Sequence, residues 1–384
     1  MPKSDVIMSS PYVVLITGAN GFIGKNLSVH LKEISNYTVL TFVRGDSLDK
    51  LLELVAKSDA IVHLAGENRP EDVTQFDQVN TGLTVALCNA IAYELRESGR
   101  HNIPLLFASS TQAELDTPYG RSKLAAEEAV QALADTTGNP CMVFRLPGVF
   151  GKWCKPNYNS VVATFCNNIA RGLSIQIDDP SATVRLVYVD DVVTAIVTAL
   201  ENPAIGFSQV EVQPEYTVTV GLLAAQIRAF GECRTTLHTE RVGTGFLRAL
   251  YATYVSYLPK NRFSYELEQY SDRRGVFVEM LKTQDSGQFS YFTAHAGVTR
   301  GGHYHHTKSE KFLVIKGEAL FRFRHLLTGE LVELHTCGDK PEVVDTMPGW
   351  VHDITNVGTD EMVVMLWANE NFDRERPDTV AMEV

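Results

Sequence analysis

The sequence predicts two domains of different class, a doubly wound α/β domain followed by an all-β barrel or double-sheet sandwich. Three observations predict this. The chain has 384 residues, long enough for two hydrophobic cores. Up to about residue 200 it alternates short apolar runs with longer amphipathic ones. Beyond about residue 265 the segments become short, strand-like and closely punctuated by turn residues.

In chain order, the first-domain strands are expected at 12–17 (YVVLIT), 37–43 (YTVLTFV), 59–65 (DAIVHLA), 103–109 (IPLLFAS) and 141–147 (CMVFRLP). They are nearly continuous apolar runs, as required when helices cover both faces of a parallel sheet. Helices are expected near 22–34, 47–57, 75–98 and 119–136. This domain is placed at 1–245. The segment 246–269 is an aromatic linker containing Pro259, of a kind that packs against a domain. The second domain is placed at 270–384, with strands at 275–280, 288–293, 311–316, 318–325, 330–335 and 361–367.

Composition narrows the function. Apolar residues make up 45% and charged residues 21%, ordinary for a globular protein. A net charge of -12 argues against nucleic acid or an anionic membrane as partner. No apolar run approaches the roughly 18 residues of a membrane span, and no secretory signal core is present, so a cytoplasmic protein is expected. The six cysteines form no CxxC pair and are expected to be small buried residues in a reducing compartment.

Gly18, Gly21 and Gly24 form GxxGxxG between a strand and a helix. Glycines let the backbone approach a pyrophosphate, and the helix N-terminus adds free N–H groups. A glycine pattern alone also fits a turn without ligand. Its order within a βαβ unit points to a dinucleotide. At the end of the second strand, Arg44 leans the choice toward the 2′-phosphate of NADPH, with Asp46 close by as the competing NADH signal. Tyr119 and Lys123 share one helix face, where a neighbouring cation can lower the tyrosine pKa toward neutrality. Upstream, 107–112 (FASSTQ) ends a strand with hydroxyls able to hold a carbonyl.

These residues, with 63–66 (HLAG), 145–151 (RLPGVFG) and 185–193 (RLVYVDDVV), resemble the extended short-chain dehydrogenase/reductase family over roughly 12–240. The resemblance implies a Rossmann-like domain. It implies a Ser110, Tyr119 and Lys123 site acting on a nucleotide-sugar carbonyl, with cofactor contacts at Asn20, Phe22, Ile23, Leu64 and Ala65. Arg185 falls where the family contacts the substrate diphosphate. Ser110 lies close before Tyr119 for this family, which leaves Thr111 as an alternative hydroxyl. Thr111 and Gln112 stand where dehydratases of the family carry acidic residues, which argues against dehydration.

In 300–312 (RGGHYHHTKSEKF), His303 and His305 point to one side of an extended strand, and Tyr304 and His306 to the other. A turn brings back Glu310, and 349–356 (GWVHDITN) supplies His352. Imidazoles plus carboxylate suit zinc, manganese, iron or nickel, with zinc placed first. The spacing of Gly297, His303, His305, Glu310 and Gly317, then Gly349, His352 and Asn356, resembles the cupins. It implies a small β-barrel, commonly dimeric, over about 270–384. A displaced proline, Pro348 beside Gly349, departs from the second motif. A metal-free sugar-binding cupin remains the alternative.

The whole chain resembles the bifunctional reductase–cupin enzymes of the UDP-N-acetyl-L-fucosamine route in capsule and O-antigen assembly. This implies C3 epimerisation of a UDP-4-keto-6-deoxy-N-acetylhexosamine by the cupin. NADPH reduction of the C4 ketone then gives UDP-N-acetyl-6-deoxy-L-talosamine. His295, Tyr304, His306, Lys308 and Asp373 are candidates for the epimerisation base. Two alternatives stay open. One is a plain 4-ketoreductase with a non-catalytic cupin. The other is a non-enzymatic NADPH-binding regulator, against which Tyr119 and Lys123 weigh.

Overall fold

A computed structural model describes residues 11–34, 36–69, 72, 74–268, 270–272, 275–277, 281–283, 287–370 and 375–384. It groups the chain into two compact units, Met1–Val149 with Arg185–Tyr216, and Phe150–Val184 with Thr217–Val384. The grouping is not sequential, unlike the single boundary expected near residue 245. The segment 150–184 and the helices after 217 belong with the C-terminal strands.

In the first unit, β1 (Tyr12–Thr17), α1 (Phe22–Glu33), β2 (Tyr37–Phe42), α2 (Leu48–Ala56), β3 (Ala60–His63), α3 (Leu83–Ser98), β4 (Leu105–Ser110), α4 (Pro118–Thr137) and β5 (Cys141–Leu146) alternate as expected. The sheet order is β2-β1-β3-β4-β5, then the strand Phe207–Gln209, all parallel. Alternate β1 side chains enter separate cores. Val14 and Ile16 pack with Leu27 and Leu31 of α1 and Val192 and Ile196 of the Val189–Glu201 helix. Leu15 packs with Leu51, Leu87, Ile91 and Val130 from α2, α3 and α4. This two-sided burial explains why β1 reads as an unbroken apolar run, and each such side chain contributes about 1.5–3 kcal/mol.

Helix starts follow local chemistry. Ser47 caps α2 by accepting from the Lys50 amide. Thr117 caps α4 by accepting from the Gly120 amide at 3.0 Å, with Pro118 at the first helical position. That start places Tyr119 in the first turn. One departure concerns the helix expected at 75–98. Its first part, Phe76–Gly82, is a π-helical turn that leads into α3.

In the second unit, two antiparallel five-stranded sheets form the β domain. One runs Ser264–Glu266, Glu342–Asp345, Glu310–Lys316, Met362–Ala368, Gln288–Ala294. The other runs Leu331–Cys337, Glu318–His325, Trp350–Asn356, Thr299–Tyr304, Val380–Ala381. Phe312 of the first meets Phe321 of the second, ring centroids 5.7 Å apart, so the sheets face each other across an aromatic core. Glu342–Asp345 and Trp350–Asn356 are strands beyond those expected; polar residues such as Glu342, Asp345, His352 and Asp353 interrupt their apolar runs. The expected strand at 275–280 is described only as Gly275–Phe277. The expected linker forms a buried helix, Gly245–Ser256, and then contributes Ser264–Glu266 to a sheet. Cys88, Cys141, Cys166 and Cys233 are buried and free, while Cys154 and Cys337 are free but only partly buried. Among the described residues no helix is long and apolar enough to cross a membrane.

Candidate functional site

Two clusters of reactive side chains stand out, one in each unit. In the first, the loop after β1 lies where the sheet reverses direction, with β2 on one side of β1 and β3 on the other. Ligands of doubly wound sheets bind at such a point. Gly18 has φ +69, and a Cβ there would lie 2.7 Å from the Ala65 amide nitrogen. A Cβ on Gly24 would lie 2.4 Å from the Gly18 carbonyl oxygen. Only glycine fits either place. α1 begins with no side-chain cap, which leaves its first N–H groups for an anion. The loop therefore fits a dinucleotide pyrophosphate. Asn20, Phe22 and Ile23 lie on this loop and first turn, and Leu64 and Ala65 follow β3. At the tip of β2, Asp46 is occupied, accepting from the Val43 amide at 2.9 Å and from Lys50 at 2.7 Å. The Arg44 side chain is 86% exposed and pairs with Glu67 at 2.6 Å.

Tyr119 and Lys123 lie one turn apart on α4. Ser110 is the last residue of β4, near enough to the Tyr119 phenol to pull its pKa down, and Thr111 starts a short 3₁₀ turn. Lys123 is buried, donates to the Ala108 carbonyl at 2.9 Å and lies 4.9 Å above the Phe107 ring. Burial pulls its pKa down to about 8, against the pull of Glu127. One expectation is corrected here. Lys123 was to depress the Tyr119 pKa, but burial raises it, offset in part by Ser110. The physical reason is that the ammonium is turned to the β4 carbonyl.

Several residues escaped sequence reasoning. Glu127, one further turn along α4, is held by the Ser109 hydroxyl and by the Arg145 guanidinium, with Nη2 2.7 Å from Oε2. Asn80, inside the π turn, accepts from the Glu67 amide at 2.7 Å and donates to the Ser122 hydroxyl at 3.0 Å. His63 hydrogen-bonds Thr17 at 2.6 Å and Thr84 at 2.8 Å. Its place as the lone polar residue in IVHLA was a usable signal, but nothing local marks Asn80. Arg185, the expected diphosphate contact, is 60% exposed and makes a two-point ion pair with Glu215 at 2.6 and 2.9 Å.

In the second unit His303, His305, Glu310 and His352 converge, with one ligand atom from each lying within 4.8 Å of the others. Local folding explains this. Gly301 and Gly302 have positive φ and form a bulge in the strand, after which His303 stands opposite His352 on the neighbouring strand. Glu310 opens the next strand. Its amide donates to the Thr346 hydroxyl at 3.0 Å, and its carboxylate lies 3.1 Å from His305 Nε2. Gly349, with φ +85, donates its amide to the His305 carbonyl at 3.1 Å. The loop before His352 is thereby fixed despite the displaced proline. Asn356 donates to the Ala294 and Asp360 carbonyls at 2.9 and 2.8 Å, and its carbonyl accepts from the Gly297 amide at 2.9 Å.

The cluster fits a divalent cation. Among the described residues neither ring nitrogen of buried His352 has a hydrogen-bond partner, and Nε2 lies 3.5 Å from Glu310 Oε2. Burial, with His352 and His305 beside it, lowers the His303 pKa to about 3, which leaves a neutral imidazole with a lone pair to donate. Buried Glu310 is nonetheless held ionised by its histidine neighbours.

The five base candidates separate. Lys308 Nζ lies 3.0 Å from Glu310 Oε1, beside the ligand set. Tyr304 is 1% exposed, on the side of its strand opposite His303 and His305, with its ring 5.6 Å from His306. His306 lies on that same opposite side. His295 is exposed after the strand Gln288–Ala294. Asp373 lies outside the described residues. His325, at the end of the strand Glu318–His325, accepts the Trp153 indole N–H at 3.1 Å.

Comparison with known proteins gives a consistent result. Residues 14–212 match the model of the NAD dependent epimerase/dehydratase family, and 270–380 match the polysaccharide biosynthesis C-terminal domain. The chain is 57% identical to a Pseudomonas aeruginosa UDP-2-acetamido-2,6-beta-L-arabino-hexul-4-ose reductase, over 97% of this chain and 98% of that protein. It is 41% identical to the crystal structure of the capsular polysaccharide assembling protein CapF from Staphylococcus aureus, with TM-score 0.66, covering 97% and 100% of the two chains. A Vibrio cholerae UDP-glucose 4-epimerase is 25% identical over 50% of this chain and 68% of its own length.

Proposed function

The chain belongs to the NAD dependent epimerase/dehydratase family, and from that premise we propose that it is a bifunctional enzyme of one UDP-4-keto-6-deoxy-N-acetylhexosamine. The C-terminal β domain, a cupin, epimerises C3, and the N-terminal domain then reduces the C4 ketone to give UDP-N-acetyl-6-deoxy-L-talosamine on the route to UDP-N-acetyl-L-fucosamine. One observation carries this reading. A Ser110–Tyr119–Lys123 site and a three-histidine, one-glutamate cluster coexist in a chain matching, nearly end to end, a named 4-keto-sugar reductase.

In the reductase domain Ser110 orients the carbonyl oxygen and Tyr119 delivers a proton to it. Lys123 steadies the phenolate left behind. The nicotinamide supplies the hydride, and Gly18, Gly21 and Gly24 hold its pyrophosphate. NADPH is the reductant. This is supported by the exposure of Arg44 at the β2 tip and by the engagement of Asp46 within its own turn. Arg185 takes the substrate diphosphate by exchanging Glu215 for it.

The order of the two steps follows from acidity. The C3 proton is removable only while C4 is a ketone, because the carbanion is then an enolate. His303, His305, Glu310 and His352 hold the cation, zinc by preference, whose charge polarises the sugar carbonyl. Lys308 is the base candidate best supported by position. Proton transfer of this kind is worth about 10²–10⁴-fold. A homodimer is supported by exposed Phe289 and Tyr291 on the edge strand Gln288–Ala294. A cytoplasmic location is supported by the use of a nicotinamide cofactor and a nucleotide sugar.

The test is the complete reaction in heavy water with the UDP-4-keto sugar and NADPH, the product being identified by NMR. We expect a 6-deoxy-L-talo sugar carrying deuterium at C3. A reduced sugar of unchanged C3 configuration with no deuterium there would favour the plain reductase instead.

A further inference from the structure

The last residues of the chain lie in neither set of reacting groups, yet they fasten the segment that carries two of the ligands. Val380 and Ala381 pair antiparallel with Tyr304 and His303. The Met382 amide donates to the Gly302 carbonyl at 2.9 Å. Between these pairings and the end of the preceding loop stands Asp378. One of its carboxylate oxygens accepts the His306 amide at 2.8 Å. The other accepts the Thr307 amide at 2.7 Å, the Lys308 amide at 2.7 Å and the Thr307 hydroxyl at 2.9 Å. The turn between His305 and Glu310 therefore directs three successive amides at a single side chain. The Arg248 guanidinium donates to the same Thr307 hydroxyl from the Gly245–Ser256 helix and pairs with Glu370 at 3.0 Å.

The backbone carbonyl of Asp378 faces His305 Nδ1 within hydrogen-bonding distance. A carbonyl only accepts, so Nδ1 carries the proton. Without a second proton the ring keeps its lone pair on Nε2, the atom that faces the ligand cluster 3.1 Å from Glu310 Oε2. The contact selects the tautomer a metal needs and fixes the plane of the ring. Removing the Asp378 carboxylate would leave three amides of a buried turn without their acceptor and free the carbonyl to move.

We propose that the C-terminal strap, centred on Asp378, is the positioning element of the metal centre: its carboxylate sets the 306–308 turn and its carbonyl sets the tautomer and aim of His305. The inference rests on the metal-binding reading above. Asp378 touches neither metal nor substrate and acts through His305. None of the spacings that identify the ligands extends to residue 378.

The test uses the full-length protein and cobalt(II), whose d–d absorption reports the ligand field. Affinity is measured by competition with a chromogenic chelator for the wild type, Asp378→Ala, Asp378→Asn and a His303→Ala control. We expect Asp378→Ala to bind cobalt about 10–100-fold more weakly, with a shifted, weaker absorption band. Asp378→Asn, which keeps one acceptor oxygen, falls between. A ranking of wild type over Asn over Ala in both affinity and spectrum supports the proposal. Wild-type affinity and an unchanged band in both variants overturn it while leaving the metal site standing. A wild type that takes up no cobalt, or a His303→Ala variant that binds equally well, overturns the metal reading and this proposal together. Should Asp378→Ala lose its cooperative thermal transition, the comparison of Asp378→Asn with wild type decides.

Discussion

Tyr119 shows how a single side chain holds most of the chemistry of the reductase domain. It is half-buried in the first turn of α4, and burial raises its pKa while Ser110 pulls the other way. A phenol kept protonated at neutral pH is suited to donate a proton as charge develops on the ketone oxygen. Tyr119→Phe is expected to lower the rate of NADPH oxidation by about 10²–10⁴-fold, with NADPH affinity within a few-fold of wild type; stopped-flow kinetics and a binding titration check both. Lys123 adds a pH dependence. Its cationic form supports the reaction, and its pKa is pulled down to about 8 by burial. kcat/KM for reduction should therefore be flat below that pH and fall as pH rises through it. A profile flat to pH 10 would separate Lys123 from the reaction. The pairing of Tyr119 and Lys123 was legible in the sequence because they sit at helical spacing after a strand. The direction of the Tyr119 shift was not, since it depends on where the Lys123 ammonium turns.

Elements carry the next level of argument, and β3 is the clearest case. It is four residues of an apolar run with His63 at its end, fully buried between Thr17 at the end of β1 and Thr84 on α3. Burial lowers the His63 pKa to about 3, far below the roughly 6.5 of an unfolded chain. The unfolded state thus binds more protons over this interval, and stability from neutral His63 is complete above about 6.5 and lost as pH falls toward 3. The slope reaches about 1.4 kcal/mol per pH unit. Urea midpoints from pH 7 to pH 4.5 should fall steeply in the wild type and less so in His63→Gln. Parallel slopes would mean that another group governs the acid limb. The extent of β1 and the start of α4 could be foreseen because side-chain pattern and capping residues fix them locally. The π turn at Phe76–Gly82 and the strand Trp350–Asn356 could not. Asn80 is held by Glu67 and Ser122, distant in sequence, and His352 is placed by its partners His303 and Phe323 across two strand pairings.

At the scale of the molecule, the chemistry demands that epimerisation precede reduction. The C3 proton is labile only beside a C4 ketone, so reduction ends any chance of epimerisation. The two activities share no residue: Tyr119 and Lys123 belong to the first unit, and His303, His305, Glu310 and His352 to the second. Each centre should therefore fail alone. His303→Ala in the full chain is expected to lose C3 deuterium exchange and to form no L-talo product from the unepimerised ketone. Tyr119→Phe should keep the exchange and lose reduction. Release of the epimerised ketone between steps would let a mixture of the two variants restore L-talo product, with a lag while the ketone accumulates. The lag should shorten as the Tyr119→Phe share rises. If the mixture forms no product although each variant retains its remaining activity, the ketone does not leave the protein between steps.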